Sequence, residues 1–360
     1  MTKLLAVLGC AFALGCGKEA ARVEFGAAGP WKTGYGSMNR RGIELAVAEI
    51  NAGRTLGGRP LVIHFRDDGG DGARAAAIAS EFVRDPAITA VVGHVNSGAM
   101  VAAAKVYDGA LPALATTATS PDLTGISPWV FRTIASDAAT GLGLAKFAAA
   151  KGLVRAAVLY ENNSYGRGLA EAFLRDFKGT LVAYDPIVAD SADFEPFITF
   201  FKRQRPDLVV VAGTERSGMA ILREARRQRL AAEFVGGDGW TGVVADAAAA
   251  EGAIVAAPFT AEDPRPEAQR FVTAFRKRYS LTPDGNAAMA YDATWLLAHA
   301  VAARGTGRED VRDHLASLRR SGGHKGATGT ISFGADGDPV GRSLVLTRIR
   351  RGALLVEGAR

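Results

Sequence analysis

Short apolar runs alternate with amphipathic stretches along most of the chain. A run over 23–28 closes at Gly29-Pro30 and leads to a helical pattern over 34–51, with Ile43, Ala46, Val47 and Ile50 on one face. A second run, Leu61 to Phe65, precedes a helix over 73–84 that Asp71 is placed to cap. The third, Ala90 to Val92, breaks at Gly93 and feeds a helix over 98–107, with Asn96 and Ser97 offering side-chain oxygens to open it. A fourth run over 111–115 ends in the hydroxyl-rich turn Thr116-Thr117-Ala118-Thr119-Ser120-Pro121-Asp122. This alternation predicts a parallel sheet with helices on both faces, and ligands of such sheets bind beyond the carboxyl ends of the strands.

The rhythm stops at Ser127-Pro128, where 129–133 is expected to be an extended connection, and then restarts. Helices over 137–151, 168–178, 194–204 and 217–228 alternate with strands over 156–160, 180–187, 208–212 and 233–236. That predicts a second α/β domain of similar size. After a run over 253–257 come helices over 266–279, 287–303 and 309–318 with no strands between them, so they are expected to return to the first domain. Segments 329–333 and 343–350, around Gly334-Ala335-Asp336-Gly337, read as a hairpin.

With 360 residues, 48% hydrophobic and 22% charged, the chain is globular and long enough for two domains. Its net charge of +6 raises the question of nucleic acid. The arginines, however, are scattered among acids on helix surfaces, as at Arg40, Arg41, Arg223, Arg226, Arg227 and Arg229, and no nucleic-acid partner is expected. The N-terminus departs from the globular pattern: Lys3 precedes an apolar stretch from Leu4 to Gly15, too short to span a bilayer. It fits a signal peptide over 1–15, and Ala13-Leu14-Gly15-Cys16 is similar to a bacterial lipobox, with Ala13 where Leu is usual. Cys16 is then the lipidated mature N-terminus, anchoring the protein outside the cytoplasm; Cys10, after too little apolar sequence, is the weaker alternative. Both cysteines lie in this segment, so the body has no disulfide.

Catalytic and cofactor signatures are missing. The five histidines lack ligand spacing, the acidic loop 67–72 has Ile78 where a calcium loop needs Glu, and Gly141-Leu142-Gly143 is a fragment better explained by close helix contact. Neither an enzyme activity nor a metal or cofactor is expected. What remains is a set of polar and aromatic residues at strand–helix junctions: Ser97, Thr117 and Thr119 in the first domain, Tyr165 and Asp238 in the second. Hydroxyls beside a helix N-terminus suit a carboxylate, and an acid on a facing wall suits an ammonium. Each is also accounted for locally, Ser97 as a cap, Thr119 and Asp238 as turn residues, Tyr165 as surface contact. Together, at equivalent junctions of two domains, they favour a shared cleft.

At these residues the chain resembles the type I periplasmic solute-binding proteins of the branched-chain amino-acid (leucine/isoleucine/valine-binding) family. The motifs occur in the family's order: Gly29-Pro30, Tyr35-Gly36, Glu49-Ile50-Asn51, Asp67-Asp68, Val91-Val92-Gly93-His94 with Ser97, Ala118-Thr119-Ser120-Pro121-Asp122, Phe131-Arg132-Thr133, Tyr165-Gly166 and Ala290-Tyr291-Asp292. The resemblance implies an α/β fold of two doubly wound parallel-sheet lobes joined by a three-crossing hinge. By position, lobe one is 22–134 with 259–331 and lobe two is 135–258 with 332–360. It also implies an extracytoplasmic receptor that passes an amino acid or similar small carboxylate to an ABC permease. The alternative is a ligand-sensing module acting through a partner protein. Carried over by residue, Ser97, Thr119 and a backbone group at Thr117 bind the ligand carboxylate, Tyr165 and Asp238 face the ammonium, and Tyr35 covers the side chain. Glu215, Trp240 and Tyr291 are further candidates for the side-chain wall. Asp238 stands where amino-acid binders commonly have Glu, and Glu215-Arg216 replaces an aromatic pair, which points to a more polar ligand than leucine.

Overall fold

The structure, a computed structural model, describes residues 22–191 and 193–357. The expected signal segment and Cys16 lie outside the described residues. Among those described, no helix is long and apolar enough to cross a membrane.

The first alternation builds β1 (Val23–Gly29), α1 (Gly34–Ala52), β2 (Leu61–Asp67), α2 (Gly72–Arg84), β3 (Ile88–Gly93), α3 (Ser97–Tyr107), β4 (Ala113–Ala115) and β5 (Val130–Arg132). These strands form one parallel sheet in the order β2-β1-β3-β4-β5. The near-continuous burial of β1, β3 and β4 is what a sheet covered on both faces requires. One face packs around Phe82, Met100 and Tyr107 of α2 and α3, the other around Phe25, Ile43 and Leu297. Residues 129–133, expected as a connection, instead supply the edge strand β5, with Val130 beside Ala113 and Arg132 beside Ala115. A strand of three residues carries too little alternation to distinguish it from a linker.

The second alternation comprises α4 (Asp137–Ala150), β6 (Arg155–Glu161), α5 (Ser164–Asp176), β7 (Thr180–Ile187), α6 (Glu195–Gln204), β8 (Leu208–Ala212), α7 (Glu215–Gln228), β9 (Glu233–Gly236), α8 (Ala247–Ala250) and β10 (Ile254–Ala257). Helices α9 (Pro266–Tyr279), α10 (Gly285–Arg304) and α11 (Arg308–Ser317) follow, then β11 (His324–Gly326), β12 (Gly329–Ile331), β13 (Val345–Arg350) and β14 (Ala353–Val356). The second sheet runs β14-β13-β10-β9-β8-β6-β7, parallel from β6 to β10 and antiparallel at β13 and β14. The hairpin expected from 329–333 and 343–350 does not form. β12 pairs with β11 across a turn held by Asp292, whose carboxylate accepts from the Ala327 and Thr328 N–H groups at 2.7 and 2.8 Å, while β13 joins β10 and β14. The chain thus passes from the first sheet to the second after β5, returns after β10 to helices packed on the first sheet and to the separate β11-β12 pair, and rejoins the second sheet after β12.

The late helices return to the first sheet, with α10 lying along α1. At Gly42 the helices meet so closely that a Cβ would overlap the Ala287 carbonyl. Gly42→Ala is therefore expected to destabilise the protein, although Ala is about 1 kcal/mol better than Gly inside a helix. Overpacking against backbone that no rotamer change can relieve costs about 1–3 kcal/mol. The urea midpoint should fall at unchanged slope, and a raised midpoint would refute the contact. Gly141 makes an equally close approach between α4 and α5, at the backbone of Ala172 and Phe173.

Both parallel orders reverse once, between β1 and β3 in the first sheet and between β6 and β8 in the second. At a reversal the neighbouring connections leave the carboxyl edge in opposite directions and open a crevice.

Candidate functional site

The connections at the two reversals enclose one cleft of about 600 Å³. Tyr35, Ser97 and Thr117 line it from the first sheet, Tyr165, Glu215 and Asp238 from the second. The carboxyl ends of β1 and β3 thus face those of β6, β8 and β9.

On the first wall, Thr33 caps α1 by accepting from the Gly36 N–H at 3.0 Å, which sets Tyr35 in the opening turn. The Tyr35 hydroxyl accepts from the Asn96 amide at 3.0 Å. Asn96 was expected to cap α3, but its side chain makes no capping bond, being turned to Tyr35 instead. The first N–H groups of α3 are left without that side-chain cap at the edge of the cleft, where the positive end of the helix favours an anion. Ser97 does not cap the helix either. Its Oγ accepts from the Thr119 and Ser120 N–H groups, both at 3.1 Å, and pins that turn to α3. With two bonds accepted, the hydroxyl still has its own proton to donate. Beneath the loop, buried His94 bridges Asp68 at 2.6 Å and Tyr107 at 3.0 Å.

On the second wall, Asn163 caps α5 through the Gly166 N–H, so the helix begins before the expected 168 and carries Tyr165 in its first turn. The Tyr165 hydroxyl accepts from the Gly239 N–H at 3.0 Å, beside Asp238. Asp238 is 8% exposed, and its Oδ1 has no hydrogen-bond partner among the described residues. Burial pushes its carboxyl up to about 6, against the pull of the Tyr165 hydroxyl and nearby N–H groups. Close behind stands Asp137, fully buried, neither oxygen with a well-formed hydrogen bond; burial first, and then Asp238, raise it well above the carboxylate range. The Tyr165 hydroxyl is likewise raised, by burial and then by both acids. One wall therefore presents donors and the other the unpartnered acceptor oxygen of Asp238, an arrangement that can hold a dipolar molecule by both ends.

Three expected residues do not line the cleft. Thr119 is fully buried one layer behind Ser97; its carbonyl accepts from the Asp137 N–H at 2.8 Å and its hydroxyl is unpartnered. Trp240 is fully buried, its indole filling space left by Gly218 and Gly236. Tyr291 donates to Glu49 at 2.6 Å and packs on Phe271, away from the cleft. Conversely, Asp137 is not recognisable from the sequence, because an acid just after the capping Ser136 looks like an ordinary helix-dipole partner. Glu161 was also missed. Its carboxylate accepts from the Thr214 N–H and hydroxyl at 2.8 and 2.7 Å and from Ser217 at 2.8 Å, tying β6 to the start of α7.

The family model described as periplasmic binding protein matches residues 26–353. The chain belongs to this family. It is 29% identical over 330 residues to a Leu/Ile/Val-binding protein homologue of Brucella abortus, covering 88% of this chain and 87% of that one. Among solved structures, an ABC transporter substrate-binding protein of Desulfitobacterium hafniense, complexed with Leu, is 32% identical with a TM-score of 0.80, covering 93% and 99% of the two chains. The branched-chain amino acid transporter substrate-binding protein of Streptococcus pneumoniae, complexed with isoleucine, is 28% identical with a TM-score of 0.85, covering 92% and 97%. The periplasmic binding protein described here thus has the type I fold, and its relatives bind substrates without transforming them.

Proposed function

We propose that this periplasmic binding protein closes two lobes, 22–134 with 259–331 and 135–258 with 332–360, on an amino acid or similar small carboxylate and delivers it to an ABC permease. The observation that carries the reading is that Ser97 and Asp238 stand on facing walls of one cleft, donors on one side and, on the other, an acid whose Oδ1 has no partner among the described residues. The ligand carboxylate sits at the α3 N-terminus, on the Ser97 hydroxyl with Thr117, while Thr119 holds Ser97 from behind. Its ammonium meets Asp238 and Tyr165, with Asp137 behind them, and Tyr35 flanks its side chain. The isoleucine and leucine held by the two solved relatives support the amino-acid class. Contacts to both walls shift the population toward the closed arrangement. In this reading Cys16 keeps the receptor at the membrane near its permease.

A thermal-shift screen of amino acids, aromatic acids and amides tests the proposal. At a hundredfold excess over Kd, a ligand of the folded state adds about 2.7 kcal/mol of stability. An α-amino acid should raise the melting temperature, while its decarboxylated amine and its deaminated acid should not. Stabilisation by a carboxylate without nitrogen, and by no amino acid, removes the ammonium contact at Asp238 and Tyr165; stabilisation by none of the compounds overturns the proposal.

A further inference from the structure

The side-chain end of the cleft does not look like a pocket for an aliphatic tail. Among the described lining residues, Val95 and Ala189 are the only aliphatic side chains, and the wall beyond Asp238 carries Glu161, Asn163, Thr214 and Glu215. Glu215 opens α7 and reaches across the cleft to the N-terminus of α1. Gly34 on α1 and Gly242 on its own side leave room for its carboxylate, since a Cβ at either would overlap it. Burial first, then Asp284, raise its carboxyl, and the Tyr35 N–H offsets this in part. Glu215 has no ion pair among the described residues: its neighbour Arg216 is turned to Asp190 at 2.6 Å, and Lys32, the other cation lining the cleft, makes no ion pair with it. Glu161, nearby, is already occupied by four donors. The cleft therefore holds a second acid without an ion pair among the described residues, separate from Asp238.

Resting on the amino-acid reading above, we propose that the ligand's side chain ends in a positively charged nitrogen and that Glu215 receives it. A half-buried carboxylate without a counter-charge repels an aliphatic tail, because covering it with hydrocarbon removes its remaining water. A cationic tail turns the same group into a charge-assisted hydrogen bond. Glu215 thus discriminates between tails by attraction and by penalty together.

Calorimetric titration of the native protein and of Glu215→Gln and Glu215→Asp with L-lysine, L-ornithine, L-arginine and L-leucine tests this. The native protein should bind at least one basic amino acid about tenfold or more tighter than leucine. Glu215→Gln should move that ratio about tenfold or more toward leucine, and Glu215→Asp, charged but shorter, should fall between. Leucine binding tightest to the native protein overturns the assignment of Glu215 while leaving the amino-acid reading intact. A basic preference that Glu215→Gln does not change overturns it as well. Binding of none of the four overturns the assignment of Glu215, and the wider thermal-shift screen decides the amino-acid reading separately.

Discussion

Asp238→Asn is expected to weaken amino-acid binding by about thirtyfold or more and to stabilise the ligand-free protein. Truncating one partner of a desolvated charge pair costs about 2–5 kcal/mol, because the other charge is left without a match. Without ligand the balance reverses. The Asp238 carboxyl stands at about 6, raised from 3.8 chiefly by burial, so its ionised form is penalised in the folded state. An amide of the same shape removes that penalty, a gain of about 1–3 kcal/mol near neutral pH. The pH dependence has a definite sign. A proton on Asp238 competes with the ligand's ammonium, so native affinity falls as pH drops through about 6, by up to about tenfold per unit. Over the window from about 6 to about 4 the folded carboxyl holds a proton that the unfolded one has released, so the ligand-free native protein gains stability there. The Asn variant should show both slopes reduced, with the remainder carried by the other raised carboxyls, Asp137 and Glu215. Calorimetry and melting curves at about pH 5 and about pH 8 read both. Unchanged affinity in the variant removes Asp238 from the site.

Much of this architecture is legible in the sequence because buried strands announce themselves. Leu208 to Ala212 is an unbroken apolar run, and it is β8 to the residue. β14 was missed because three of its four residues are exposed or nearly so, and an edge strand with one wet face has no run to display. The pairing of 329–333 could not be read either: Asp292 decides it from a helix 35 residues away, through the turn at Ala327. In the site, local chemistry located the junctions but not the direction of each side chain. Asn96 is a sound cap by type, yet Tyr35, 61 residues away, claims its amide. Trp240 and Tyr291 have the character of cleft aromatics and are spent on the interior and on Glu49. Asp137 shows the reverse error, an acid that looks solvated in sequence and is wholly buried behind Asp238. Spacing gives the edge of a sheet; only long-range contacts decide which way a residue on that edge points.

Ser97→Ala separates the two walls, since its effect on stability has the opposite sign. The Ser97 hydroxyl is the acceptor for the Thr119 and Ser120 N–H groups, in a turn where Thr119 and Ser120 are almost wholly buried. Alanine leaves both donors unmatched, at about 1–3 kcal/mol for each. The ligand-free protein should therefore lose about 2–6 kcal/mol, seen as a lower urea midpoint, where Asp238→Asn gains. Binding should fall about tenfold or more, because the carboxylate loses a donor and the turn that holds Thr117 and Thr119 loosens. The two residues share no partner in the ligand-free protein, so their stability changes should add in the double variant. Their binding losses should not add, because both act through the one ligand that spans the cleft. A ligand held only by Asp238, or only by Ser97, has already lost the contact that draws the opposite wall inward. Strict additivity in binding would mean that neither contact helps to draw in the opposite wall, and the reading of a closure driven by one ligand across the cleft would fall with it.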